Sequence, residues 1–180
     1  MINEFKKEHN ITVVTYITES GLSGGYFIAL AGDYIVASPT SLVGSVGAII
    51  TVTNYAELLR KLGIKVNVIK SGKYKDIASP FKELSLKEKA ILKRVVQVVY
   101  NVFVNVVIEK RGGKLCKANL TDILNAGIYC GQDALTVGLV DEISSLKEAI
   151  ERARELSGLS PTAPVKEVKE EKPFLVLDCQ

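Results

Sequence analysis

The chain has 180 residues, 47% of them apolar and 24% charged, with a formal net charge of +3; one globular domain, or one with a tail, can therefore bury its core without disulfide staples. The positive excess is small and spread out, with no basic arm, which argues against a nucleic-acid binder. Met1 leads into Ile-Asn-Glu-Phe-Lys-Lys-Glu-His-Asn rather than an apolar leader, and the longest apolar run, Val95 to Ile108, is interrupted by Gln97, Asn101 and Asn105 and is too short to cross a bilayer, so the chain as given is expected to be soluble.

Residues 2 to 8 read as the tail of a helix. Ile11-Thr-Val-Val-Thr-Tyr-Ile17 is a β-branched run suited to a buried strand. The chain thus opens in mid-pattern, as though an earlier strand and helix were missing. Next comes Glu19-Ser-Gly-Leu-Ser-Gly-Gly-Tyr-Phe-Ile-Ala-Leu-Ala31, a glycine-punctuated turn followed by a small-residue helix, with Ser23 at the junction. Asp33 to Ala37 is a short strand closed by Ser38-Pro39-Thr40, and Leu42 to Ile50 a strand with tight turns or close contacts at Gly44 and Gly47. Asn54-Tyr-Ala-Glu57 is a capping arrangement for a helix from Tyr55 to Leu62, stopped by Gly63. Ile64 to Ile69 reads as a further strand, emptying into Lys70-Ser-Gly-Lys-Tyr-Lys-Asp76. Strand, helix and strand on short connections imply a parallel α/β layer, whose ligand sites gather at strand C-terminal ends.

Ser85-Leu-Lys-Glu88 is a capping box opening a long helix to about Arg111, where Gly112-Gly113 ends it. Ile91, Val95, Val98, Val99, Val102, Phe103 and Val106 form its core stripe, and Val96, Val104 and Val107 add apolar surface on another side, suited to core or to a subunit interface. Asn119 to Asn125 is a short helix, and Gly131 to Ile143 holds a helical turn and a short strand. Ser145-Leu-Lys-Glu148 caps a last helix ending at Gly158. The division expected is therefore a domain over 1–158 and a charged, solvated tail over 159–180, with Pro173 to Leu177 as a possible edge strand. The three cysteines, Cys116, Cys130 and Cys179, lack metal-like spacing and read as free thiols, with pairing of two of them open in an oxidising compartment. No cofactor or metal is called for.

Ser23 carries two readings. It is a helix N-cap ahead of two turn glycines, or a nucleophile whose oxyanion the Gly24 amide would hold, since the first amides of a helix lack intrahelical partners. The single histidine, His9, lies in a Lys/Glu-rich stretch ahead of the first strand, so a lysine or carboxylate is the better base. A lysine base must be neutral, and lowering an amine from about 10.4 toward 7 takes roughly 4–5 kcal/mol of differential interaction from burial or nearby positive charge.

Leu22-Ser-Gly-Gly-Tyr-Phe27, Val43-Gly-Ser-Val-Gly47, Lys70-Ser-Gly-Lys-Tyr-Lys-Asp-Ile-Ala-Ser-Pro80, and Gly131-Gln-Asp-Ala134 with Gly138-Leu-Val-Asp141 resemble the signal peptide peptidase SppA family of membrane-associated serine proteases. The motifs stand in the family's order and cover the chain to about Gly158. The resemblance implies a ClpP/crotonase-like fold, a layered parallel sheet with flanking helices, here without its first strand and helix. It also implies a Ser-Lys dyad. Ser23 matches the nucleophile, Lys75 the general base, Ser45 the serine that orients that base, and Gly24 the oxyanion residue, while Lys73 falls at a variable position. Leu22, larger than the family's usual small residue, and Gly25 would border the substrate. In the family the dyad meets across neighbouring subunits or repeats of a ring, and the peptidase domain lies outside the cytoplasmic membrane. A membrane anchor and a Ser-Pro-Gly-Gly turn giving a second oxyanion amide belong to the missing leading segment, so low activity is expected of this chain. The function implied is a serine endopeptidase degrading short apolar peptides such as cleaved signal peptides. The rivals are a crotonase-class acyl-CoA enzyme, for which no CoA-binding signature is evident, and a non-catalytic ring-forming module.

Overall fold

The computed structural model describes residues 2–168. In chain order the elements are α1 (Ile2–His9), β1 (Val14–Ile17), β2 (Ser20–Leu22), α2 (Gly24–Ala29), β3 (Tyr34–Ala37), β4 (Leu42–Gly44), α3 (Ala56–Lys61), α4 (Leu86–Arg111), a 3₁₀ turn (Lys117–Asn119), α5 (Leu120–Leu124), β5 (Ile128–Cys130), α6 (Gly131–Thr136), β6 (Glu142–Ile143) and α7 (Leu146–Leu156). They build a mixed α/β fold with two three-stranded sheets, ordered β1-β3-β6 and β2-β4-β5. The first is parallel throughout, with Val14 opposite Tyr34 and Val36 opposite Glu142. The second pairs β2 with β4 in parallel, Leu22 opposite Gly44, and β4 with β5 antiparallel, Val43 opposite Tyr129. The chain passes from one sheet to the other twice in the same direction, after Ile17 and after Ala37, so the two parallel pairs follow one another.

The core lies where these sheets meet α2, α6 and the C-terminal end of α4. Ile35, Val36 and Ala37 of the central strand β3 are all buried, as a strand covered on both faces requires. Removing side chains of that size from water contributes about 1.5–3 kcal/mol each. Tyr26 of α2 is fully buried and donates its phenolic O–H to the carbonyl of Leu139 at 2.7 Å. Beneath it Arg111, 3% exposed, closes the last turn of α4 onto the chain before β6. Its Nη1 donates to both carboxylate oxygens of Asp141 at 2.8 Å, and Nε and Nη2 donate to the carbonyl of Gly138. Burial pushes the Asp141 carboxyl up, yet hydrogen bonds from Lys114, the Ile35 amide and Arg111 outweigh that and hold it below the ordinary carboxylate range.

Both capping boxes form as the sequence implies, Ser85 with Glu88 and Ser145 with Glu148. Asn54 accepts from the Ala56 amide at 2.8 Å, so the cap of α3 is an Asx turn rather than a reciprocal box. The strand expected over Leu42 to Ile50 stops at Gly44, because Gly44 (φ 111) and Ser45 (φ 54) leave the extended region. Strand β2 forms in a stretch that reads as a glycine-punctuated turn, and β5 in residues to which no element is assigned from sequence, each of three residues. The strand expected over Ile64 to Ile69 does not form. Among the described residues, 64–69 have no ladder partner, and all are exposed, Ile69 fully so; a β-branched run with no neighbour to accept its hydrogen bonds does not make a strand.

The expected stripe of α4 meets the core only toward its C-terminal end. Phe103, Val107 and Arg111 face the core, with Val104 and Val106 against its margin, whereas Val95, Val98, Val99 and Val102 are about half exposed. The stretch Val95 to Ile108 is short, but α4 as a whole spans 26 residues, with a window of mean hydropathy 1.6, and is long and apolar enough to cross a membrane by length and composition. Past α7 the chain folds back, and the Arg154 guanidinium donates to the carbonyl of Ala163. Cys116 and Cys130 are free thiols. Cys179 and the edge strand expected over Pro173 to Leu177 lie outside the described residues.

Candidate active site

Ser23 is placed by the parallel pair β2/β4. Its amide donates to the Gly44 carbonyl at 2.9 Å, adding one rung beyond the Leu22–Gly44 pairing. The backbone then turns through φ 50, ψ −117, and its carbonyl accepts the Phe27 amide to start α2. An N-cap serine has extended dihedrals and gives its oxygen to an amide of the first turn; Ser23 does neither, having no side-chain cap hydrogen bond. Capping therefore does not account for this residue. A non-glycine side chain held at positive φ costs about 1–3 kcal/mol, and the ladder bond on one side with α2 on the other keeps it there. The residue is exposed, and its hydroxyl makes no hydrogen bond among the described residues.

The amides of Gly24 and Gly25 have no intrahelical carbonyl to bond, by their position in the first turn. A Cβ on Gly24 would meet nothing within 4 Å, so the chain is open to solvent on the side-chain face of that residue. Ser23 and Gly24 form one lip of a cavity of about 340 Å³, walled by Phe27 and Phe103 on one side and Val98, Val99 and Val102 on another, with Gly47 at the edge. Phe27 and Phe103 meet edge to face at 5.3 Å between ring centroids. The cavity is apolar apart from its serine lip.

Ser45 is brought close through the sheet. It follows Gly44, the residue that accepts the Ser23 amide, and its own amide donates to the Gly127 carbonyl at 2.8 Å. Gly44 is required: at φ 111 it cannot carry a Cβ, which would also come to 2.5 Å from the Gly127 carbonyl oxygen. Positive φ recurs at Ser45 and at Ala126 next to Gly127, so strained backbone gathers around the serine. Leu22 is half-buried and Gly25 exposed, and neither lines the cavity.

Lys75 lies elsewhere. Residues 70–79 form successive turns, with Lys75, Ile77 and Ser79 amides donating to Gly72, Tyr74 and Asp76 carbonyls. The Lys75 side chain is exposed, does not line the Ser23 cavity and makes no hydrogen bond among the described residues. Its neighbours are tightly tied. Asp76 accepts from Lys70 at 2.6 Å and from Lys82 at 3.0 Å; Lys82 also bridges to Glu88, which accepts from the amide and hydroxyl of Ser85. Hydrogen bonds from Lys70 and then Lys82 hold the Asp76 carboxyl below its ordinary range. Lys82, then Ser85, pull Glu88 down to about 2, and Glu88 and Asp76 together push Lys82 up.

Phe27 and the cavity face of α4 were missed as site residues in the sequence. Apolar residues at helical spacing read as core, and only the open space beside Ser23 distinguishes them.

The profile of peptidase family S49 matches residues 5–160. "Putative protease MJ0651" of Methanocaldococcus jannaschii is 40% identical over 149 residues, 82% of this chain and 47% of that protein. "Putative signal peptide peptidase SppA" of Enterococcus faecium is 34% identical over 145 residues, 81% of this chain and 42% of that protein. The chain thus spans about half, or less, of the length of these relatives. A solved enoyl-CoA hydratase/isomerase family member aligns over 81% of this chain and 38% of its own, at 18% identity and a TM-score of 0.35, a likeness too slight to bear on activity.

Proposed function

Because the chain belongs to peptidase family S49, we propose that it is the catalytic part of a serine endopeptidase that degrades short apolar peptides, such as cleaved signal peptides, at or near a membrane. The observation that carries this reading is the Ser23 hydroxyl, exposed and unbonded on a positive-φ turn at the lip of an apolar cavity. A strand-to-helix turn of that kind is how a serine is thrust toward a substrate in other hydrolases, and the cavity walls suit an apolar side chain of the peptide.

In the proposed reaction Ser23 Oγ attacks the scissile carbonyl carbon while its proton passes to the neutral Nζ of Lys75. The carbonyl oxygen, now negative, is held by the Gly24 N–H. Collapse of the tetrahedral adduct breaks the C–N bond, and the leaving amine takes the proton back from Lys75. Water then enters by the same path in reverse and releases the acyl group. Ser45, which follows the end of β4 next to the residue that accepts the Ser23 amide, would orient the amine. In a single chain Lys75 stands apart from the Ser23 cavity, and the open face of α4 beside that cavity supports a second copy as the supplier of the lysine, in a ring that completes each site from two neighbours.

The test is hydrolysis of a quenched fluorescent apolar peptide by the assembled protein. Ser23→Ala and Lys75→Ala should each lower kcat by about 10³-fold or more with circular dichroism unchanged. Parent-like turnover by either variant overturns the dyad.

A further inference from the structure

Among the described residues no strand holds the turn that bears Lys75. The residues leading into it, 64–69, have no ladder partner there, and the turn's own backbone hydrogen bonds are those of short turns. What fixes it is a chain of charges. Lys70 and Lys82 both donate to Asp76 Oδ1, Lys82 continues to Glu88, and Glu88, 5% exposed, closes the capping box with Ser85. Glu88 begins the same helix whose Val98, Val99 and Val102 wall the Ser23 cavity. The turn is therefore pinned to the element that shapes the nucleophile's surroundings.

The chain has a second consequence, which concerns Asp76 itself. Asp76 adjoins Lys75 in sequence, and its side chain is only 10% exposed because two ammonium groups cover it. Lys73 and Lys87 lie over the Tyr74 ring at 5.8 and 6.0 Å from its centroid. Of the amines on or beside the turn, Lys70, Lys73 and Lys82 are thus engaged, and Lys75 bonds to nothing among the described residues. Glu83 and Lys89 share a surface depression with Lys82 at the same end of α4 and are the further charged groups beside that lysine there. An unsatisfied carboxylate next to Lys75 would pair with its ammonium and favour the charged form, which cannot accept a proton from serine.

We infer that Asp76, occupied by Lys70 and Lys82 and anchored through Glu88 to the capped end of α4, is the positioning group of the lysine base: it fixes the turn and leaves Lys75 unpaired. This rests on the dyad reading above. Lys70 and Lys82 act by withholding a carboxylate from the base, so removing either charge should leave Lys75 protonated to higher pH.

The experiment is the pH profile of kcat/KM for the assembled protein and its variants on the apolar peptide. Lys82→Met, which keeps the stem and removes the charge, should move the acid limb upward by about one pH unit and lower kcat at neutral pH about tenfold, with KM unmoved. Lys70→Met should act in the same direction, Lys82→Arg should return the limb to its parent position, and Asp76→Asn added to Lys82→Met should also bring it back. A purely structural role would lower activity only in step with thermal stability and leave the limb in place, and that result overturns the inference. So does a parent-like profile for Lys82→Met. The Lys75→Ala arm separates the two claims: if it is inactive while Lys82→Met keeps the parent profile, the positioning role alone falls, and if it turns over like the parent, both fall.

Discussion

Two halves of the molecule are stabilised by different means. The half built on β1, β3, β6, α2 and the end of α4 satisfies itself: Ile35, Val36, Tyr26 and Leu139 are buried, and Arg111 meets its partners inside the chain. The other half, residues 48–85 with the first two-thirds of α4, has little core. Ile49, Leu58, Ile64, Val68 and Ile69 are at least half exposed, α3 buries no residue, and order comes from turns, the charge chain through Asp76 and a capping box. Ser23 belongs to the first half and Lys75 to the second. Placing the proposed nucleophile and the proposed base on separately secured elements suits the proposal of a site completed by assembly.

The comparison can be broken from either side, and the largest effect is expected in the self-sufficient half. Asp141→Ala leaves the Arg111 guanidinium buried without its carboxylate and should cost about 3–5 kcal/mol, read as a drop in the denaturant midpoint; a loss below 1 kcal/mol would show that the lock contributes little. Gly44→Ala places a side chain at φ 111 and 2.5 Å from the Gly127 carbonyl oxygen. It should cost about 1–3 kcal/mol and displace the rung that holds Ser23, so peptidase activity should fall further than stability does.

In the open half the effects are smaller and depend on pH. Glu88 is held at about 2, below the roughly 4.3 of an unfolded glutamate. A depressed carboxyl lends its stability above the unfolded value and loses it as pH falls toward the folded one. The difference in Tm between the parent and Glu88→Gln should therefore be full above about pH 5 and shrink to a small remainder near pH 2; a gap at about pH 2 as large as that at about pH 6 would refute this. Smallest of all, Val99→Ser on the exposed face of α4 should change unfolding free energy by no more than about 0.5 kcal/mol, while altering peptide hydrolysis through the cavity wall.

The sequence made the first half legible because its signals are local. β-branched runs, the two capping boxes and the glycines after Arg111 each specify an element, and β1, β3, α4 and α7 follow from them. Ser23 was legible as a candidate, but not whether its side chain caps α2, since that rests on a φ of 50 and the missing side-chain cap hydrogen bond. Ile64 to Ile69 misled because alternation describes what a strand would bury without saying whether a partner strand is at hand. The α4 stripe misled in part for a related reason: helical periodicity finds an apolar face, and Val98 and Phe103 look alike until both are seen to line the cavity and only Phe103 to be buried in the core. The charge chain through Asp76, Lys82 and Glu88 spans a loop and a helix start, and no periodicity reports it.

The measurement that bears most directly on the account is labelling of the assembled, active protein with a serine-reactive acylating probe, followed by mapping of the adduct by peptide mass. The account predicts a single adduct on Ser23, blocked by an apolar peptide and strongly slowed in Lys75→Ala. An adduct on another residue, or active protein that the probe leaves unmodified at Ser23, would contradict it.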